Sequence, residues 1–167
     1  MKKILIILFL MIFLSSCSIQ ENMNPQIFSD RFYKLIGNKI SSENLRYENN
    51  REILFFKEKN GTDYIIEFNT DTMENIKKIC LACNDTNKTD SMNYYFEKII
   101  NIFAPDENTD EIISNLLIDK WNYYSTQWFD YSSAVSDEGI FLSVESKKIS
   151  TQSDAELTLK QNDIIFR

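Results

Sequence analysis

The sequence predicts an α+β domain: about three helices packed on one face of an antiparallel meander sheet. Three observations predict it. Apolar residues recur at helical spacing in some segments and as short β-rich runs in others. The segments come as helix, strands, helices, strands, which is not the strict alternation of a parallel βαβ sheet. Asn60-Gly61 lies between two apolar runs, a strong hairpin signal. The length, 167 residues, fits one domain.

Asn24-Pro25 opens the first helix, Asn as cap and Pro at the first helical position. Phe28, Phe32, Leu35 and Ile36 make one apolar face, and Gly37 is placed to end the helix in the left-handed conformation. Residues 51–57 and 62–69 read as strands joined at Asn60-Gly61 by a type I′ turn. Residues 45–48 and 76–81 add flanking strands, with Asn49-Asn50 as the turn after the first. In residues 91–103, Met92, Tyr95, Phe96, Ile99, Ile102 and Phe103 recur at helical spacing until Ala104-Pro105. Asn108 and Glu111 resemble a capping box before the stripe Ile112, Ile113, Leu116 and Leu117. Residues 121–131, 139–145 and 156–159 read as strands, and 164–166 as a last apolar run. The order suggests two helix-then-strands halves; one continuous sheet fed by unrelated halves fits it better.

The first residues read differently. Lys2 and Lys3 precede an unbroken apolar run over residues 4–14. A spanning helix needs about 20 apolar residues, so this run reads as the core of a signal peptide. Leu14-Ser15-Ser16-Cys17 follows. The segment resembles that of the bacterial lipoprotein class, whose lipobox is a branched apolar residue, two small residues and Cys. The resemblance implies a diacylglycerol on the Cys17 thiol and cleavage before it. Residues 1–16 are then a cleaved leader, 17–23 the lipidated Cys and tether, and 24–167 a single globular domain. More than one buried acyl chain makes such an anchor stable. The expected location is the outer face of the cell membrane, or a periplasm-facing or outer membrane in a Gram-negative host. Lys outnumbers Arg by 14 to 4, as in an AT-rich, low-GC Gram-positive genome.

Charge and composition narrow the function classes. Acids outnumber bases by 25 to 18, which argues against a nucleic-acid partner bound by phosphate neutralisation. Loss of the leader removes two lysines and no acid, so the mature body is more acidic still. With no His, the chain has no Ser-His-Asp or Cys-His catalytic pair and no His-ligated metal. Cys80-Leu81-Ala82-Cys83 has the spacing of a redox motif, but a strand-like run precedes it and no helix follows at once. Cys80 and Cys83 therefore read as a local disulfide, if the chain turns there, or as two quiet thiols. The carboxylates around Asp71, Asp85 and residues 106–111 read as solvated turns and helix caps rather than a metal site. No cofactor is expected.

Residues 121–131 are dense in aromatic side chains. Read as one strand, they put Trp121, Tyr123, Phe129 and Tyr131 on a core face. Tyr124, Thr126, Trp128 and Asp130 fall on the other, an aromatic-polar surface of the kind that stacks on sugars or anchors a protein. Tyr124, Trp128 and Asp130 are the candidate binding residues. The reading is a non-enzymatic, membrane-anchored binding or accessory module with a protein or glycan ligand. The alternative is an inhibitor or immunity-type lipoprotein that neutralises an exported enzyme or toxin. A carboxylate-only wall-glycan hydrolase comes third, since such chemistry needs no His.

Overall fold

Seven antiparallel strands form one sheet in the order β1-β2-β3-β4-β7-β6-β5, in a computed structural model that describes residues 23–48, 51–116 and 121–147. The strands are β1 (Ile40–Glu48), β2 (Arg51–Glu58), β3 (Asp63–Thr70), β4 (Ile76–Cys83), β5 (Asn122–Ser125), β6 (Phe129–Ser136) and β7 (Gly139–Ser146). The helices are α1 (Pro25–Ile36), α2 (Thr89–Phe103) and α3 (Thr109–Asn115). The α+β class and the meander are thus as expected. One meander, β1 to β4, follows α1; the other, β5 to β7, follows α3; they join through their last strands, β4 against β7. The leader, Cys17, the 49–50 turn, Leu117 and the runs at 156–159 and 164–166 lie outside the described residues.

Local chemistry explains the helix starts. The Asn24 side chain accepts from the Ile27 amide at 2.9 Å, and Pro25 follows at the first helical position. Asn108 accepts from the Glu111 amide at 3.3 Å while its own amide group donates to the Glu111 carboxylate at 3.4 Å. Two turn readings need correction. Gly37 is right-handed (φ −55°, ψ −24°); the constraint there is space, because an added Cβ would lie 2.9 Å from the Tyr33 carbonyl oxygen. At the β2–β3 hairpin only Gly61 has positive φ (96°), and its amide donates to the Glu58 carbonyl at 3.0 Å. A type I′ turn needs positive φ at both central residues, so this is a longer connection that uses one glycine.

The register fixes two faces. Phe56 sits opposite Tyr64, Leu54 opposite Ile66, Ile79 opposite Phe68, and Leu81 opposite both Ile66 and Leu142. These side chains are buried. Phe28 and Phe32 of α1 meet Phe68 and Phe56 edge-on, at 5.3 and 5.5 Å between ring centroids. Tyr95 of α2 meets Phe56 at 4.9 Å and Tyr64 at 5.0 Å. The Tyr95 hydroxyl donates to the Glu58 carboxylate at 2.8 Å, tying α2 to the end of β2. The residues between, on the opposite face, are mixed. Phe55, Ile65, Ala82, Phe141 and Ala134 form one row across five strands. Phe141 and Ile65 are 39% and 38% exposed, so this row is wetted rather than buried.

Candidate functional site

The aromatic segment folds as a hairpin, not as one strand, and this changes which residues share a face. β5 ends at Ser125, the Thr126 amide donates to the Phe129 carbonyl at 2.9 Å, and β6 begins at Phe129. Tyr124 pairs with Tyr131 and Ser125 with Asp130. Even-numbered residues therefore face the core on β5 and away from it on β6. The structure divides the three residues expected to bind. Tyr124 lies on the core side, tilted against Tyr131 at 6.3 Å, and its hydroxyl donates to Glu111 of α3 at 2.8 Å. Asp130 lies on the opposite face, and Trp128 is in the turn, 61% exposed. Trp121 and Tyr123, expected in the core, are 74% and 50% exposed.

A different constellation results. Trp121 and Tyr123 stand with their rings nearly parallel, 12° apart, and their centroids 6.5 Å apart. The Tyr123 hydroxyl donates to Asp130 Oδ1, and Ser125 Oγ donates to the same oxygen at 2.8 Å. Lys147 Nζ reaches that oxygen at 2.9 Å, and it also donates to Ser125 Oγ and to the Thr126 carbonyl, the latter at 2.7 Å. The Lys147 backbone amide donates to the Trp128 carbonyl at 2.8 Å, which fixes the lysine beside the turn. Burial alone would push the Asp130 carboxyl up, but the bonds from Tyr123, Lys147 and Ser125 outweigh it and hold it below the usual carboxylate range. Asp130 is thus held ionised, which suits an acceptor and not a general acid. Lys147, Ser125, Trp121 and Tyr123 were missed as a group; the polar Ser125-Thr126-Gln127 interruption is the signal that marks the turn.

Other bonds set this edge of the sheet. Thr126 Oγ1 donates to Glu107 at 2.9 Å, and the Asn122 amide group donates to the Asn115 carbonyl at 3.0 Å. With Tyr124–Glu111, these tie the core side of β5 to the α2–α3 connection and to α3.

The chain finds no match among protein-family models, curated proteins or solved structures.

The cysteines correct the disulfide reading. β4 runs unbroken through Cys83, so Cys80 and Cys83 point to opposite faces and both are free thiols. Burial pushes both thiols above their ordinary range, which leaves little thiolate for redox chemistry. The acidic loops act as turn caps. Asp71 accepts from the Met73 and Asn75 amides, each at 2.9 Å, and Asp85 from the Asn87 amide at 3.0 Å. Among the described residues, no three His, Cys, Asp or Glu side chains converge on a possible metal position.

The Asp130 cluster carries a pH prediction. A carboxyl whose folded pKa lies below its unfolded one adds stability above the ordinary carboxylate range. It loses that stability as pH falls through the folded value. The Lys147–Asp130 side chains are 31% and 33% exposed, so the contribution is discounted to under about 1 kcal/mol. Urea midpoints between about pH 7 and about pH 3 should fall less steeply for Asp130→Asn than for wild type. Equal slopes would mean that the cluster does not hold the proton off Asp130.

Proposed function

We propose that this chain is a lipid-anchored, extracytoplasmic binding module without catalytic activity, tethered through Cys17. The helices cover one face of the sheet, and the other face is presented outward. The observation that supports this reading is the aromatic-polar patch on β5, β6 and the end of β7. Trp121, Tyr123 and Trp128 are each at least half exposed beside a carboxylate and an ammonium already locked in position. Exposed large aromatics of this kind are costly to keep in water and efficient in contact with a ligand. Among the described residues no helix is long and apolar enough to cross a membrane; the anchor in this reading is the acyl group on Cys17.

Wild-type protein should take up labelled palmitate and partition with membranes. Cys17→Ala should take up none, and should accumulate as precursor or leave the membrane fraction. Labelled Cys17→Ala, or processed Cys17→Ala retained like wild type, would contradict the anchor.

One observation favours the inhibitor or immunity reading as the second choice. The row Phe55, Ile65, Phe141 is bordered by ion pairs Lys57–Asp63 at 3.2 Å and Lys78–Glu145 at 3.3 Å, with Arg51–Glu67 between. An apolar strip with a neutral, polar rim has the anatomy of a protein interface. Increased sensitivity of a deletion strain to an exported toxin would select this reading over the first.

A further inference from the structure

We infer that the Trp121–Tyr123 pair with Asp130 and Lys147 forms a saccharide site, suited to a neutral β-linked pyranose chain. This rests on the binding reading above and names its ligand. Sugars present two kinds of surface: a flat, weakly apolar C–H face, and a rim of hydroxyls that both donate and accept. The patch presents the complement of each. The nearly parallel rings of Trp121 and Tyr123 lie at the start of an edge strand, 74% and 50% exposed, and are open to stacking. Next to them, Tyr123, Ser125 and Lys147 all converge on Asp130 Oδ1. Three donors on one oxygen fix the carboxylate, whose Oδ2 is the acceptor for ligand hydroxyls; the three N–H groups of Lys147 are already given to Asp130, Ser125 and Thr126 and brace it.

Shape and charge choose among ligands. Protein hot spots sit near the centre of a broad patch, in pockets ringed by contacts that exclude water. Here the exposed aromatics lie along the four-residue edge strand and its turn, at the margin of the sheet and not at the centre of a broad patch. Trp121 precedes β5 and Trp128 follows it, so the two indoles flank the polar cluster with about 13 Å of strand between Trp121 and Ser125. A narrow, extended ligand of several rings matches that strip; a single sugar does not. The Asp130–Lys147 pair is balanced, whereas the chain carries a formal charge of −7, which disfavours polyanionic glycans. A neutral chain with equatorial hydroxyls, whose rings expose flat faces, is the class that fits.

Both tryptophans of the protein are in this region, so intrinsic fluorescence reports the site without a label. The full-length protein, purified in detergent, is titrated with chitotetraose and cellotetraose, with α-linked maltotetraose as comparator. The β-linked probes should give a saturable blue shift and slow acrylamide quenching, with Kd of about 1 mM or tighter. Trp121→Ala, followed through Trp128, and Asp130→Asn should each weaken binding about tenfold or more. Both positions are exposed or partly exposed, and circular dichroism checks that the variants fold. No saturable change with either β-linked probe, in protein whose tryptophans quench freely, overturns the saccharide assignment and leaves the binding reading standing. Unaltered affinity in Trp121→Ala overturns this location. Tryptophans shielded from acrylamide in ligand-free protein overturn the exposed patch, and the binding reading with it.

Discussion

Phe56→Ala is expected to lower the unfolding free energy by about 3–5 kcal/mol, the range for removing a buried aromatic side chain. Phe56 is 3% exposed and is touched by rings of both α1 and α2. It stacks on its cross-strand partner Tyr64 at 5.0 Å and 9°, and it receives Phe32 of α1 and Tyr95 of α2 edge-on. Truncation removes three aromatic contacts at once and leaves a cavity among rings that cannot collapse without moving α1 or α2. A domain of this size has roughly 5–15 kcal/mol in total, so the variant should show a much lower urea midpoint with a similar slope. Phe141→Ala, on the wetted face, is the contrast and should cost far less. If the two variants unfold at similar urea concentrations, the core is not where these contacts place it.

Gly139→Ala should be nearly as damaging for a different reason. Gly139 opens β7 at φ 141°, and an added Cβ would lie 2.1 Å from the Cys83 carbonyl oxygen and 2.9 Å from Asn84 Cα. The neighbours in the way are backbone atoms, which cannot swing aside as a side chain tip can. The strained φ alone costs roughly 1–3 kcal/mol. Relief of the clash also requires β7 to draw away from β4, the one seam joining the two meanders. The expected loss is about 3 kcal/mol or more. Gly61→Ala separates the two effects: its φ is also positive, at 96°, but no atom lies within 4 Å of the added Cβ. Urea denaturation of both variants decides it; equal losses would show that the clash at Gly139 is absorbed at no cost.

What could be read from the sequence was what is local. The Asn24 and Asn108 caps involve partners within three residues, and the apolar stripe from Met92 to Phe103 is complete within one helix. The strands β2, β3 and β4 are bounded by turn-forming residues and fall where they were expected, whereas β1, expected over 45–48, begins five residues earlier at Ile40. The pairing of β4 with β7 depends on contacts about sixty residues apart in the chain, which no local pattern encodes. The same limit hid the role of Gly139, whose neighbour Cys83 belongs to another strand.

The binding region shows how a turn without Gly or Pro misleads. Thr126-Gln127-Trp128 contains neither Gly nor Pro, so alternation was carried straight through it. The chain reverses there, and the pairing Tyr124 with Tyr131 exchanges the parity of the two faces. Tyr124 became a tie to α3, and Trp121 and Tyr123 came out into solvent. Asp130 kept its expected face and gained Lys147 from the end of β7, a partner seventeen residues away. At Cys83 the opposite holds: the disulfide reading needs a turn there, and the strand continues.

An exposed binding patch formed by the aromatics of the β5–β6 hairpin requires both indoles to be open to solvent. Acrylamide quenching of the single-tryptophan variants Trp121→Phe and Trp128→Phe tests it most directly. Trp128 and Trp121, each measured alone, should quench nearly as freely as a tryptophan in an unfolded chain. Strong protection of either indole in the folded, ligand-free protein would contradict it.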